Sequence, residues 1–186
     1  MIARKMGLKY AQVSNGAIDM LASILICKEV SKNQLLLRGG EICDRLYYVD
    51  AGLVRQFYYK QGRDITEHFA CEDDLCLNAE SYLLRKPTTL MIEALEPTVV
   101  YGIPYEPLRS LMDSNKEINR MYRLMLESIL MQTYLRLDSF RLESASERYQ
   151  RFLKESPGIV RRVPLLHIAS YLLMSPETLS RVRAKL

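Results

Sequence analysis

The spacing of apolar positions changes twice along the chain and divides it into three parts. Residues 12–27 carry apolar side chains at helical spacing, with Asn15 as a suitable cap, and this predicts an amphipathic helix. Residues 28–103 instead show short apolar runs that end at glycine-containing or acidic turns. The even spacing of these runs predicts an antiparallel β-sandwich or barrel, with a short helical insert at residues 78–84. From residue 107 onward the helical spacing returns.

A long helix is predicted from a cap at Ser114 to about residue 141. One apolar set follows it from Ile118 to Phe140. A second set widens the apolar stripe: Leu124, Leu126, Leu130, Met131 and Tyr134. A helix that is apolar on more than one side has to cover two surfaces. We expect its own β-barrel to be one of them and the same helix of a second copy to be the other. A fully buried helix in a monomer is the alternative.

The C-terminal part, residues 143–186, predicts a compact all-helical module. The sequence Ser144-Ala145-Ser146-Glu147 is a capping box that starts a new helix, so residues 142–146 are expected to be a hinge. Further on, Pro164 can open one short helix and Ser175 can cap another. Two short helices joined by a tight turn have the layout of a helix-turn-helix whose second helix enters the DNA major groove.

Charge supports the same interpretation of the C-terminal part. The chain has 186 residues, 48% of them hydrophobic, which suits one medium domain plus a small one. Its net charge is +4, but residues 145–186 alone contain eight Lys or Arg and three Glu. A basic module on a nearly neutral body is the electrostatic pattern of a nucleic-acid-binding protein. Because no apolar run approaches the ~20 residues of a membrane span and the start lacks a signal peptide, we expect a cytoplasmic location without a membrane partner.

Cysteine and histidine spacing indicates neither a metal site nor an enzyme. The four cysteines form no Cys-x-x-Cys pair, and the two histidines lie in different predicted parts of the chain. Reduced, partly buried thiols are expected; redox sensing by Cys71 and Cys76 is the alternative. Nucleophile-elbow, P-loop and Rossmann glycine motifs are missing from the sequence, so catalysis is not expected.

Several motifs in this order resemble the family of the cyclic-AMP receptor protein and the fumarate–nitrate regulator (Crp/Fnr). They are Arg38-Gly39-Gly40-Glu41, the run from Leu46 to Arg55 with Gly52, Glu80-Ser81-Tyr82 before Lys86-Pro87-Thr88, and Ser146-Glu147-Arg148-Tyr149 with Thr178-Leu179-Ser180-Arg181-Val182-Arg183. The segments Ser146-Glu147-Arg148-Tyr149 and Thr178 to Arg183 are similar to the compact branch found in Bacteroidetes-type bacteria.

This resemblance implies an α+β fold. A cyclic-nucleotide-binding-like antiparallel β-roll (jelly-roll) with flanking helices would span residues 1–113. A long dimerisation helix would span 114–142, and an all-α helix-turn-helix domain 143–186. It also implies a dimeric transcription regulator that binds double-stranded DNA. RNA polymerase is left open as a further partner.

The resemblance also indicates where an effector would bind. Members that bind cyclic nucleotides hold the phosphate with a Gly-Glu pair and an Arg-Ser pair. In this chain the Arg-Ser position reads Thr88-Thr89, and the glutamate position falls on Asn78 or Glu80. Without the arginine fork we do not expect cyclic AMP to bind in the usual way. An unknown small molecule is the expected effector, and the candidate residues are Asn78, Glu80, Ser81, Thr88 and Thr89.

On the DNA side, the resemblance places Glu177 and Arg181 at positions that meet base edges. Arginine suits guanine O6 and N7, and glutamate suits the cytosine amino group. Glu177 has the alternative role of a first-turn acid that the helix dipole favours. The other candidates are Ser175, Thr178 and Ser180 for phosphates or bases, and Arg183 and Lys185 for phosphates.

Two departures from the family pattern weaken the DNA interpretation. Leu173 stands in the turn where the family usually has glycine, at a cost of about 1 kcal/mol or more in a left-handed conformation. The sequence given also leaves no room for a wing after the recognition helix. They motivate an alternative function, a small-ligand-binding sensor with a degenerate DNA-binding module. His167 is expected to be a packing residue or a surface donor.

Overall fold

A computed structural model of the protein describes residues 2–185. Residue 1, where the first predicted domain begins, and residue 186, where the last one ends, lie outside this range. The helices are α1 Ile2–Tyr10, α2 Asn15–Ile24, α3 Ala79–Leu84, α4 Tyr105–Ser114, α5 Lys116–Leu142, α6 Ala145–Glu155, α7 Pro157–Arg162, α8 Leu165–Tyr171 and α9 Pro176–Arg183. The strands are β1 Ile26–Val30, β2 Leu35–Leu37, β3 Arg45–Ala51, β4 Val54–Lys60, β5 Arg63–Ala70, β6 Leu75–Cys76, β7 Met91–Ala94 and β8 Thr98–Pro104.

The strands form two antiparallel four-stranded sheets that face each other across an apolar core. One has the order β1-β8-β3-β6 and the other β2-β7-β4-β5. The predicted α+β fold, with its antiparallel β-roll, long helix and C-terminal helices, is confirmed. The glycine turn after β3 is sterically required. Gly52 has φ +94°, and a Cβ there would lie 2.4 Å from Oγ1 of Thr98.

The N-terminal segment differs from the predicted single helix over residues 12–27. The helix α2 is capped by Ser14, whose Oγ accepts a hydrogen bond from the amide of Ala17 (3.3 Å), rather than by Asn15. It ends at Ile24, because residues 26–30 pair with β8, with Cys27 opposite Tyr101. Cross-strand pairing therefore overrides the helical spacing here. The helix α1, which we did not predict, buries Ile2 and Met6 against the same core.

The long helix α5 begins at Lys116, two residues after the predicted cap. Ser114 is the last residue of α4, and Oδ1 of Asn115 instead accepts hydrogen bonds from the amides of Glu117 (2.9 Å) and Ile118 (3.1 Å). The N-terminal half of α5 buries Ile118, Met121 and Met125 in the core of its own β-roll. Its C-terminal half leaves large apolar side chains exposed: Leu130, Met131, Tyr134, Leu135, Leu137 and Leu142. The helix thus has one covered and one open apolar surface.

The C-terminal module begins at the predicted capping box. Oγ of Ser144 accepts a hydrogen bond from the amide of Glu147 (3.3 Å), and the carboxylate of Glu147 accepts one from the amide of Ser144 (2.8 Å). Ser156 separates α6 from a further short helix, α7, with Pro157 in its first turn. Proline there removes an amide that would have no partner within the helix.

A second apolar core joins this module to the β-roll. Its buried members from the module include Tyr149, Phe152 and Leu172, and the β-roll contributes Leu53, Phe69 and Leu95. The rings of Phe69 and Tyr171 lie 5.1 Å apart, and those of Phe152 and Tyr171 lie 5.2 Å apart. The C-terminal helices are therefore packed on the β-roll.

Candidate nucleic-acid interface and effector cleft

The turn between α8 and α9 has the conformation that glycine usually provides. Leu173 has φ 52°, in the left-handed region, which costs a non-glycine residue about 1–2 kcal/mol. Its amide donates to the carbonyl of Ser170 (3.1 Å), and the amide of Met174 donates to that of Ala169 (3.0 Å). The turn is thus held in the usual geometry by two backbone hydrogen bonds, with the leucine side chain exposed.

The helix α9 is anchored on one side and open on the other. Ser175 caps it by accepting a hydrogen bond from the amide of Thr178 (3.2 Å). Leu179 and Val182 are buried against the rest of the module. The remaining predicted DNA-contacting side chains are exposed, apart from the half-buried Thr178: Glu177, Ser180, Arg181, Arg183 and Lys185. The structure thus leaves most of the predicted reading residues on the solvent side of one helix.

The charged groups on α9 differ in their hydrogen-bond and ion-pair partners. Nη2 of Arg181 donates to Oγ1 of Thr178 (3.3 Å), and neither Arg181 nor Arg183 forms an ion pair with any residue in the range 2–185. The pKa of Glu177 is lowered by a hydrogen bond from Ser175, by a backbone amide and by the nearby charge of Arg181. Both expected roles of Glu177 therefore remain compatible with its position.

Part of the basic excess of the module is neutralised by the β-roll. Arg162 on α7 donates to the carboxylate of Glu72 (2.9 and 3.0 Å) and to that of Glu96 (3.1 Å). The hydrogen bond from Arg162 lowers the pKa of Glu72 to about 2. Arg151 on α6 is paired with Glu143, which lies in the predicted hinge (2.9 Å). The charge pattern in the sequence could not distinguish these paired arginines from the free ones on α9.

Three of the five effector candidates hold local backbone structure. Asn78 caps α3 by accepting from the amide of Ser81 (2.8 Å). Oγ of Ser81 accepts from the amide of Cys43 (2.9 Å) and donates to the carbonyl of Lys86. Oγ1 of Thr88 accepts from the amide of Leu90 (3.0 Å). Glu80 and Thr89 are exposed and have no such role among the described contacts.

A cleft of about 970 Å³ lies beside these residues, between β5, the segment around α3, α5 and α6. Asn78 and Glu80 line it, together with residues that the sequence did not single out: Gln56, His68, Arg136, Ser139 and Tyr171. Gln56 is 5% exposed. It lies on β4 between buried residues, and a single polar residue in such a strand does not by itself predict a cleft. Burial lowers the pKa of His68 to about 4, so its ring is neutral.

The lining of this cleft is acidic. It contains six carboxylates (Glu67, Asp74, Glu80, Asp138, Glu143 and Glu155) against the two guanidinium groups of Arg136 and Arg151. Arg136 donates to the backbone carbonyl of Glu67, and Arg151 is paired with Glu143. Arg85, the arginine nearest to the family's phosphate anchor, donates to the carbonyl of Cys43 and lies over the ring of Tyr105. An anion entering the cleft would thus find no arginine without a partner.

The module and the β-roll also meet through polar contacts. Ser170 on α8 accepts a hydrogen bond from the amide of Thr66 on β5 (2.9 Å). Nδ1 of His167 lies 2.8 Å from Nη1 of Arg55 on β4. The pKa of His167 is lowered by burial and then by the positive charge of Arg55. His167, expected to be a packing residue or a surface donor, therefore accepts a hydrogen bond at the domain interface.

Comparison with known proteins supports this architecture. Residues 27–115 match the cyclic nucleotide-binding domain family. No curated protein sequence shows significant similarity to the chain. Among solved structures, FixK2 from Bradyrhizobium japonicum superposes with a TM-score of 0.74 at 21% identity, covering 88% of this chain and 84% of that one.

Two further structures agree with this fold. A Crp/Fnr-family transcriptional regulator from Eubacterium rectale, described as putative, has a TM-score of 0.71 at 20% identity, covering 94% of this chain and 83% of that one. The c-di-GMP-responsive regulator CLP of Xanthomonas campestris has a TM-score of 0.71 at 16% identity, covering 92% and 91%. No described helix combines the length and hydrophobicity of a membrane span. The fold that the resemblance implies is thus confirmed: residues 27–115 match the cyclic nucleotide-binding domain family, and the described chain has the fold of solved Crp/Fnr transcription regulators.

Proposed function

We propose that the chain is a homodimeric DNA-binding transcription regulator whose β-roll senses a small molecule. The observation that carries this proposal is the helix α9, anchored by Leu179 and Val182 and presenting to solvent Arg181, which forms no ion pair with residues 2–185. Arginine and glutamate on the exposed side of a helix-turn-helix recognition helix suit guanine and cytosine edges in the major groove. The solved structures from Eubacterium rectale and Xanthomonas campestris, which are described as regulators, support the same function.

The open surface of α5 supports the dimer. Leu130, Tyr134 and Leu137 follow one another at i, i+4 and i+7, which is the spacing of a helix–helix seam. All three are exposed in the single chain, Leu130 at 67%. A second copy of the same helix would bury them, and two-fold symmetry would then supply two recognition helices for two half-sites.

Replacing Arg181 with alanine is expected to weaken binding to a preferred duplex by about 1–3 kcal/mol, roughly 5- to 150-fold, because a bidentate contact to one base pair is lost. The duplex would be selected from a random pool with the unchanged protein and measured by fluorescence anisotropy. Arg183→Ala is expected to lower affinity for all sequences alike and to reduce the salt slope by about one, as for a phosphate contact. Lys32→Ala, which removes an exposed charge from the β-roll, is the control. Unchanged base preference in Arg181→Ala would contradict the role of this residue.

The second candidate function is a ligand sensor whose DNA-binding module is degenerate, and Leu173 in its left-handed turn favours it. The two functions differ in the salt dependence of binding to nonspecific duplex. A DNA-binding module releases counterions, so the logarithm of its affinity falls steeply with the logarithm of salt concentration. A slope near zero would favour the sensor alone.

We further propose that the effector binds in the acidic cleft near Asn78, Glu80, Ser81, Thr88 and Thr89, against α5. The paired state of Arg85 and Arg136 and the six carboxylates argue against an anionic phosphate there. Cyclic AMP at millimolar concentration is therefore expected to leave the melting temperature unchanged in a thermal-shift assay. A ligand present at 100 times its Kd would stabilise the fold by about 2.7 kcal/mol, so a clear rise would contradict this prediction. Selected duplex DNA serves as the positive control.

A further inference from the structure

The DNA-binding module is held on the β-roll at one buried arginine. Arg55 lies on β4 and is 4% exposed. Its Nε donates to the carboxylate of Glu93 (2.5 Å), and its two terminal nitrogens donate to the two oxygens of Asp64 (2.6 Å each). Its guanidinium also stacks 4.0 Å from the ring centre of Phe57. Two carboxylates and a ring therefore fix this side chain within the β-roll, independently of the module.

One contact of this fixed group reaches across to α8. Nη1 of Arg55 lies 2.8 Å from Nδ1 of His167, and its two N–H groups are shared among this nitrogen, Oδ1 of Asp64 (2.6 Å) and Oγ1 of Thr66 (3.0 Å). Because arginine has donors and no acceptor, Nδ1 must carry the lone pair and the imidazole must be neutral. Burial and the charge of Arg55 both lower the pKa of His167, which keeps this form present. Asp64 and Glu93, the other charged groups at this position, are already engaged by Arg55.

A second contact fixes the rotation of α8. Ser170 follows His167 by one turn and accepts from the backbone amide of Thr66 (2.9 Å). Thr66 lies on β5, the last strand of its sheet, next to a register shift at which Gln56 pairs with His68 and Phe57 with Thr66. An edge strand has backbone groups without a partner in the sheet, and here α8 accepts one of them. Two side chains at i and i+3 thus dock one face of α8 at two points.

The position of α9 follows from that of α8. Ile168 and Ala169 on α8 and Leu179 on α9 are buried in the same core, and the turn between the helices is held by its own hydrogen bonds. The aromatic contacts of Phe69 with Phe152 and Tyr171 add affinity between module and β-roll, but apolar packing is weakly directional. Hydrogen bonds are directional, so the contacts of Arg55 and Thr66 define the position of α8 on the β-roll, which apolar packing alone does not fix.

We infer that Arg55 is a positioning residue for DNA recognition. By donating to His167 it fixes α8, and through α8 the recognition helix, at one place on the β-roll. In a two-fold dimer this place sets the separation of the two recognition helices, and with it the half-site spacing that the dimer accepts, which for helix-turn-helix dimers is about one turn of DNA. The inference rests on the proposed function as a dimeric DNA-binding protein.

The test compares two replacements of His167. Glutamine retains an acceptor for Arg55, whereas leucine of similar size does not. Duplexes carrying two copies of the selected half-site, separated by spacers that differ in single base-pair steps, are titrated with each protein. The unchanged protein and His167→Gln are expected to prefer one spacing. In His167→Leu the ratio of the affinity for the preferred spacing to the affinity for the other spacings is expected to fall by about tenfold or more. This is the expected effect of losing a hydrogen bond to a charged group. Affinity for a single half-site should not change, because α9 itself is intact.

Two further variants complete the comparison. Arg55→Met removes the donor but leaves Asp64 and Glu93 without their partner, which can unfold the β-roll. The conclusion therefore depends on the comparison of His167→Gln with His167→Leu. The Arg55→Met variant is interpreted only if its melting curve stays cooperative. Arg63→Met is the matched control, since Arg63 lies in the same hairpin and is exposed. It should retain the spacing preference of the unchanged protein.

Hydrogen exchange provides a readout that does not depend on DNA. Amides of residues 165–171 are expected to exchange roughly tenfold faster in His167→Leu than in the unchanged protein or in His167→Gln, with β-roll amides unaffected. Equal exchange and equal spacing preference in the three proteins would overturn the inference, and so would a glutamine variant that behaves like the leucine variant. If the unchanged protein binds no duplex, the proposed function fails, while the exchange data still decide whether the hydrogen bond holds α8.

Discussion

Replacing Phe69 with alanine is expected to destabilise the protein by about 3–5 kcal/mol, the usual cost of truncating a buried phenylalanine. Phe69 is 4% exposed and belongs to β5, yet its ring packs against Phe152 and Tyr171 of the C-terminal module. Residues 143–186 are too few to bury an adequate core alone. They reach one by sharing Leu53, Phe69 and Leu95 with the β-roll. The cavity left at Phe69 would therefore weaken both parts together.

The measurement is urea unfolding followed by circular dichroism, with a thermal scan beside it. A chain of this length should lose roughly 10 °C in melting temperature, at about 2–4 °C per kcal/mol. The matched control is Tyr59→Ala on the neighbouring strand, where the ring is 63% exposed and little change is expected. A separate early transition of the module in the unchanged protein, or a Phe69→Ala variant as stable as Tyr59→Ala, would contradict a shared core.

Placing glutamate at both Leu130 and Leu137 is expected to convert the proposed dimer into a monomer. Both leucines are exposed in the single chain and lie on one face of α5. Each leucine that a partner helix covers contributes about 1.5–3 kcal/mol, and a dimer would cover two from each copy. The glutamates would instead bring like charges together across the two-fold axis. Because a monomer reads one half-site, its affinity for a two-half-site duplex should fall by at least about 100-fold.

Sedimentation equilibrium measures the oligomeric state, and anisotropy measures the affinity. The double replacement Leu130→Met with Leu137→Met preserves apolar volume and is expected to leave the dimer intact, which separates loss of hydrophobic contact from loss of leucine itself. Circular dichroism should show unchanged helix content in both variants, since these side chains do not contribute to the core of the chain. A glutamate variant that remains dimeric would exclude this face as the dimer interface.

Features governed by local chemistry could be predicted from the sequence. The capping box at Ser144, the short helical insert at residues 78–84, the turn at Gly52 and the left-handed strain at Leu173 each depend on a few adjacent residues, and each is found in the structure. Where two local signals competed, the predicted cap was wrong by one residue. Ser14 caps in place of Asn15, and Asn115 in place of Ser114, because neighbouring polar residues offer similar caps and packing selects between them.

The chemistry of the cleft and the state of each arginine could not be predicted, because they depend on residues far apart in the chain. Arg162 pairs with Glu72 and Glu96, whereas Arg181 forms no ion pair within the described part of the chain, although both are basic residues of the same module. Gln56 and Arg136 line the cleft from a strand and a helix some 80 positions apart in sequence. No local pattern reports such proximity.

The sequence by itself determined the succession of β-roll, long helix and helix-turn-helix, since hydrophobic period and capping residues act over a few positions. It also determined which side chains α9 presents, because burial of Leu179 and Val182 leaves Arg181 outside. The tertiary structure alone decided that the C-terminal module is docked on the β-roll rather than joined to it by a free hinge. Arg55 meets His167 across 112 positions, and Phe69 meets Phe152 and Tyr171. Such contacts form where the chain packs against itself, which a local pattern cannot specify.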